Sequence, residues 1–380
     1  MMNSNTAGVY LHTPFCLRKC RYCDFYSVSG ALSQKDDYTT ALCREIAAEG
    51  DCVRSLPVDS IYFGGGTPTL LGRENLLRIL CAVRDRFPVC EDAEITFEMN
   101  PATADLETLR ALRAAGFNRV SLGVQSACDE ELAALGRVHT AKEAMEAADF
   151  CRRAGFDELS MDVMYALPGQ TADSFDRTLT QVLSCAPTHL SAYGLIIEPG
   201  TPFYAERDAL PLPGDDAEAD LYALCCDRMH AAGFLHYEIS NYALPGHMCR
   251  HNLRYWHRLP YYGFGPSAHS LRGHLRYENT ADLPAYLKDP LSQRRTEEIL
   301  TPVSEAREYV MLGLRLSEGI SLAAYEKMAG KSLTAGREAF LSDCLRAGYI
   351  TLDRDRLALT EKGFYLSNSL ICGLLSEDGE

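Results

Sequence analysis

No stretch of the sequence approaches ~20 uninterrupted apolar residues, so no segment is expected to cross a bilayer as a helix. Bases are in the minority, with 37 Lys and Arg against 52 Asp and Glu, a net charge of −15. Such a surface does not gather phosphates, which argues against nucleic acid as a partner. The first residues, Met1-Met2-Asn3-Ser4-Asn5-Thr6, lack a basic segment followed by an apolar core. No secretory signal is therefore expected, and a cytoplasmic location is. Repeats and low-complexity tracts are missing as well, and Trp256 is the single tryptophan. Hydrophobic residues at 47% and charged residues at 23% are an ordinary globular balance.

Cysteine, in contrast, is plentiful. Fifteen of them in a chain read as cytoplasmic, an odd number, do not suggest a disulfide framework. Cys43, Cys81, Cys151, Cys225, Cys226 and Cys344 fall inside helical patterns, where a thiol serves as a small hydrophobe. Only Cys16, Cys20 and Cys23 stand close together in a loop.

Apolar runs alternate with helical patterns along the first half. Strands are expected at 9–11, 60–63, 94–97, 119–122, 159–163 and 189–193, with helices at about 34–50, 73–87, 105–115, 128–135, 140–154 and 172–185 between them. Glycines just past the helices, at Gly116, Gly155 and Gly233, agree with these ends. Six such units predict an α/β fold, a parallel partial (β/α)6 barrel. Loop chemistry appears after residue 200, followed by a helix at about 215–232 and then short strands and turns to about 295. From Thr301 several short helices precede two strands, 349–352 and 356–359, around Asp353-Arg354-Asp355. This predicts a smaller, mostly helical, winged-helix-like C-terminal domain, with acidic charge favouring packing over DNA binding. The expected divisions are 1–235 for the barrel, 236–298 for a connecting segment and 299–380 for the C-terminal domain.

Cys16-Leu17-Arg18-Lys19-Cys20-Arg21-Tyr22-Cys23 is a CxxxCxxC run. Three soft thiolates within eight residues can hold three irons of a [4Fe–4S] cube. The fourth iron stays open and can chelate the amino and carboxylate groups of S-adenosylmethionine. Zinc is the alternative, but zinc sites usually pair CxxC with a second pair, and none follows.

Ligands of parallel barrels meet the C-terminal ends of strands. Gly64-Gly65-Gly66-Thr67-Pro68 follows the second strand, where glycines let backbone approach a ligand, although alone the run reads as a tight turn. Glu98 ends the third strand, Gln125 follows the fourth and Asp162 lies on the fifth. Arg137 has the planar fork that suits a carboxylate, though alone it is an ordinary surface base.

Here the sequence resembles the radical-SAM superfamily, whose motif has this cysteine spacing with an aromatic, here Tyr22, before the last cysteine. The resemblance implies a cluster that splits S-adenosylmethionine to a 5′-deoxyadenosyl radical, using an external electron donor. It is nearest to the branch containing oxygen-independent coproporphyrinogen III oxidases and haem chaperones. By that resemblance Tyr10, Tyr22, Gly65, Gly66, Thr67, Glu98, Gln125, Arg137 and Asp162 contact S-adenosylmethionine, and Cys16, Cys20 and Cys23 hold the cluster. The oxidases carry a further cysteine two positions beyond the triad, where Phe25 stands here, and a longer N-terminal extension. His251-Asn252-Leu253-Arg254-Tyr255-Trp256 is similar to the HNxxYW motif associated with haem in the chaperones. It implies haem against His251, Tyr255 and Trp256, and an acceptor protein as partner. His247, Cys249 and His257 are rival ligands, and no CxxCH is present for covalent haem attachment. The alternative is radical oxidative decarboxylation of coproporphyrinogen propionates, for which Arg18, Lys19 and Arg21 offer local positive charge.

Overall fold

The structure, a computed structural model, describes residues 5–49 and 56–376. Residues 1–4 of the N-terminal stretch, residue 50 of the expected first helix and residues 377–380 of the C-terminal domain lie outside them. No helix among the described residues is long and apolar enough to cross a membrane.

Six parallel strands form the centre of the fold: β1 (Ala7–Thr13), β2 (Val58–Gly65), β3 (Val89–Met99), β4 (Arg119–Gln125), β5 (Glu158–Tyr165) and β6 (His189–Gly194). They are neighbours in that order, as right-handed βα units require. Helices cover their outer face, so the strands are buried on both sides; every residue of β4 is buried. Phe63, Phe97, Phe117 and Phe156 interlock between sheet and helices, with ring centroids 5.1–5.6 Å apart. The covering helices start on side-chain caps: Asp105 accepts from Thr108 N, and Thr140 and Thr171 form capping boxes with Glu143 and Ser174. The β3 strand begins five residues before the expected 94, because Val89 pairs in register with Val58.

Residues 236–298 are woven into the same sheet. Leu235–Glu238 and Asn241–Ala243 extend it antiparallel beyond β6. At the other edge Tyr261–Phe264 pairs parallel with β1, and His269–Arg272, Leu275–Asn279 and Arg294–Ile299 continue outward, giving twelve strands. Within the stretch expected as short strands and turns, 250–256 is instead a helix, Arg250–Trp256, which sets His251 and Tyr255 on one face four residues apart.

The C-terminal unit comprises helices Pro302–Gly313, Leu322–Ala329, Glu338–Arg346, Glu361–Tyr365 and Ser367–Leu375 around a hairpin, Ile350–Asp353 with Arg356–Leu359. Ile320–Ser321 adds a third strand to that hairpin, as in a winged helix.

Candidate functional site

The cysteine loop leaves the C-terminal end of β1 and is pinned at both ends. Phe15–Cys16 pairs parallel with Val28–Ser29, and Val28 N donates to Pro14 O at 2.7 Å. In the middle, Arg21 N donates to Leu135 O and Arg21 O accepts from Phe203 N, both at 3.0 Å. The Arg21 guanidinium ion-pairs with Glu206 and lies 5.0 Å from the Phe203 ring. Arg21 is thus committed to holding the loop. Arg18 and Lys19 make no ion pair among the described residues and line the cavity beneath.

All three thiols of the loop are free and half-buried. Burial raises the Cys16 thiol and pushes Cys23 up to about 11. Such thiols stay protonated at neutral pH until a metal displaces the protons. Cys20 Sγ accepts from Arg137 Nη1 at 3.7 Å, and Cys16 Sγ lies 3.9 Å from Thr67 Oγ1.

The cavity under the loop is lined by the three cysteines together with Tyr22, Gly65, Gly66, Glu98, Gln125, Arg137 and Asp162. Gly66 admits no side chain, since a Cβ there would sit 2.5 Å from Phe15 O. Gly65 has a φ of +104°, and its amide donates to Glu98 Oε2 at 3.1 Å. Glu98 also accepts from the Tyr62 hydroxyl at 2.9 Å. Desolvation raises the Glu98 carboxyl to about 8 and Asp162 to about 6; the Asp162 charge adds to the rise of Glu98, while serine hydroxyls and the Arg137 charge partly relieve Asp162. Two carboxyls held up in this way, with no cation in contact, suit a positively charged ligand. Gln125 takes a left-handed φ of +65° at a register shift that ends β4. Its Oε1 is buried without a partner, as is Arg137 Nε. Orphaned acceptor, orphaned donor and raised carboxyls together fit an amino-acid nucleoside that is both cationic and anionic.

Not every expected residue lies on this cavity. Thr67 is buried behind it, accepting from Asn100 Nδ2 at 2.8 Å. Tyr10 lines a separate hollow with His12, Phe25, Tyr26 and Tyr255. His251 is 0% exposed, with Nδ1 3.0 Å from Ser60 Oγ and Nε2 2.8 Å from the Tyr255 hydroxyl. Its ring stacks on Tyr62 at 5.2 Å, and burial lowers its pKa to about 3. In this conformation it is a neutral packing residue. Trp256 is half-buried at the C-terminal end of the same short helix. Of the rival ligands, His247 is held by Glu158 at 2.7 Å and His257 faces Glu318 at 3.7 Å, whereas Cys249 lines the inner hollow.

Sequence reasoning missed Asn100 and Tyr193. Asn100 Oδ1 accepts from Arg137 Nη2 at 2.6 Å, and Tyr193 closes the cavity beside Gln125. Both sit where a strand ends in a polar or aromatic residue, the same signal that exposed Glu98. Deeper inside the barrel the cavity opens into a hollow of about 410 Å³, bounded by Tyr22, Tyr62, Met164, Tyr193, Phe25 and Ile196.

A parallel partial barrel with three thiols on the loop after its first strand, above glycines, carboxyls and a guanidinium at the strand ends, defines a radical-SAM protein. The Radical SAM superfamily model matches residues 10–182, and the HemN C-terminal domain model matches residues 300–366. Similar curated proteins include Heme chaperone HemW of Lactococcus lactis, 34% identical over 98% of both chains. Heme chaperone HemW of Mycobacterium tuberculosis is 37% identical over 97% of this chain and 94% of that one. Among solved structures, coproporphyrinogen III oxidase (HemN) from Escherichia coli superposes with a TM-score of 0.85 at 25% identity, covering 97% of this chain and 90% of that chain. The chain belongs to the HemW family of the radical-SAM superfamily.

Proposed function

We propose that the chain is a haem chaperone, which binds haem and passes it to an acceptor protein from a barrel loaded with a [4Fe–4S] cluster and S-adenosylmethionine. The observation that carries this reading is kinship along the whole chain, at 34–37% identity, with curated haem chaperones. Phe25 supports it. Where the oxidases resemble one another in a further cysteine, this chain has a phenyl ring 64% exposed at the cavity mouth.

In this reading Cys16, Cys20 and Cys23 hold the cluster. Tyr22, Gly65, Gly66, Glu98, Gln125, Arg137 and Asp162 hold S-adenosylmethionine, with Thr67 and Tyr10 supporting from behind. When bound, the cluster would supply one-electron chemistry toward S-adenosylmethionine, for which an external electron donor would be needed. Glu98 and Asp162 offer negative charge to the cationic end of that ligand, and Arg137 offers its fork to the carboxylate. Phe25 and Ile196, the latter 69% exposed, would give a macrocycle an apolar lip. For His251 to ligate haem iron, the helix Arg250–Trp256 must turn out from the sheet and release the imidazole from Ser60 and Tyr255. The protein would work in the cytoplasm.

The HemN-like fold favours one second reading, decarboxylation of coproporphyrinogen propionates. Anaerobically reconstituted protein tests both in parallel. Haem titration is expected to saturate stoichiometrically, while coproporphyrinogen is returned unchanged. Product above a cluster-free control would overturn the chaperone reading. His251→Ala is expected to alter the haem absorption band, whereas an unchanged band would move the iron ligand elsewhere.

A further inference from the structure

Away from the cysteine loop, three metal-ligating side chains converge where the barrel meets the C-terminal unit, with a fourth, His230, bonded to one of them. Cys226 and His230 lie one turn apart on the helix Asp215–Ala231, so both project from one face. His236 comes from the strand Leu235–Glu238, and Glu361 opens the C-terminal helix Glu361–Tyr365. One ligand atom from each of Cys226, His236 and Glu361 lies within 4.8 Å of the other two. Glu361 Oε1 receives both imidazoles, His236 Nδ1 at 3.1 Å and His230 Nε2 at 2.9 Å.

The surroundings complete the pattern of a coordination site. The other nitrogen of His236, Nε2, faces the Ile239 carbonyl at 3.4 Å. Both ring nitrogens of His236 thus face oxygen atoms, Nδ1 toward Glu361 and Nε2 toward the carbonyl. With a cation on Nδ1, Nε2–H would donate to the carbonyl, the outer partner that a metal-bound histidine takes. Tyr242 stacks on the His236 ring at 4.1 Å and Phe364 meets its edge at 5.1 Å, which locks the ring. The Tyr242 hydroxyl lies 3.2 Å from Cys226 Sγ, placed to donate to a thiolate. A hollow of about 470 Å³ lined by Tyr222, Ala223, Cys226, Tyr349, Glu361 and Tyr365 provides a path from solvent.

We infer that Cys226, His230, His236 and Glu361 form a site for a borderline-soft divalent cation of the zinc type, which ties the C-terminal unit to the barrel. One thiolate, two imidazoles and one carboxylate are a four-donor set that suits tetrahedral zinc. The cation displaces the Cys226 proton to solvent, and no redox change is involved. The role is structural, because the donors come from both the barrel and the C-terminal helix Glu361–Tyr365. It is independent of the haem reading.

The cluster loop also binds metals, so the test uses the full chain with Cys16, Cys20 and Cys23 replaced by alanine. Expressed with zinc, it is expected to retain about one zinc per chain by elemental analysis. Cobalt(II) exchanged into it should show a thiolate-to-cobalt charge-transfer band. Cys226→Ser should remove that band, while Cys225→Ser, the adjacent buried thiol, should keep it. His236→Gln should lower retained zinc at least tenfold. Wild-type chain titrated with cobalt serves if a variant fails to fold: an additional thiolate band beyond that of the triad supports the site. Zinc at background, with no cobalt–thiolate band in the triad variant and no change in thermal midpoint on adding a chelator, would overturn the inference.

Discussion

Cys20→Ala is expected to strip the protein of its iron–sulfur chromophore, taking iron from about four per chain to near zero. The loop offers three thiolates and no fourth, so two remaining sulfurs cannot hold a cube against solvent. Cys20 lies beside Arg137, whose guanidinium would offset thiolate charge at 3.7 Å, and the substitution also leaves that cation without its sulfur partner. Iron content, visible absorbance and the reduced-cluster resonance signal should fall together. Cys225→Ala, in the buried interior of a helix, should leave all three unchanged. Retention of iron and chromophore in Cys20→Ala would refute the ligand assignment. Loading also carries a pH signature. With Cys16 raised and Cys23 near 11 by burial, binding iron displaces protons, so the cluster should be lost progressively as pH falls.

Glu98→Gln is expected to weaken S-adenosylmethionine binding by about 10- to 100-fold, the cost of losing a hydrogen bond to a charged partner. The same change should stabilise the ligand-free protein at high pH. Glu98 has a folded pKa of about 8 against an ordinary 4.5, so between those values the native state holds more protons than the unfolded chain. Stability therefore falls as pH rises from about 4.5 to about 8, and the penalty is absent below that window. Glutamine imitates the protonated carboxyl, accepting from Gly65 N and donating to the Tyr62 oxygen, and should flatten this slope. Thermal midpoints across that range check the sign, and a slope unchanged by the substitution would contradict it. Calorimetry in buffers of different ionisation enthalpy should further show proton release when wild-type protein binds S-adenosylmethionine near neutrality, because a cationic ligand pulls the carboxyl down.

The triad was legible because its three cysteines lie within eight residues and need no tertiary information. Glu98, Gln125 and Asp162 were legible because alternating strands and helices mark strand ends, and strand ends of a parallel barrel share one rim. Depth was harder to read. Both faces of a parallel strand are buried, so the pattern cannot say whether Tyr10 faces the cluster cavity or the hollow beside it. The helix Arg250–Trp256 is only two turns long with no side-chain cap, and it read as a turn. Its i, i+4 pairing of His251 with Tyr255 explains why the motif is so thoroughly packed. Cys226 and Glu361 stand 135 residues apart in sequence and meet only when the C-terminal unit docks, so no local pattern announces them.

Strand β1 lies between β2 on one side and Tyr261–Phe264 on the other. The segment bearing the three cysteines therefore waits for its second hydrogen-bonded neighbour, which lies about 250 residues further along the chain. At ordinary translation rates that interval lasts on the order of tens of seconds. Throughout it the cysteine loop hangs from a half-paired strand, and Phe203, which clasps Arg21, is also still to come. A cluster on this loop would be enclosed only once Tyr261–Phe264 has been made, and until then the three thiols would lie open to oxidation.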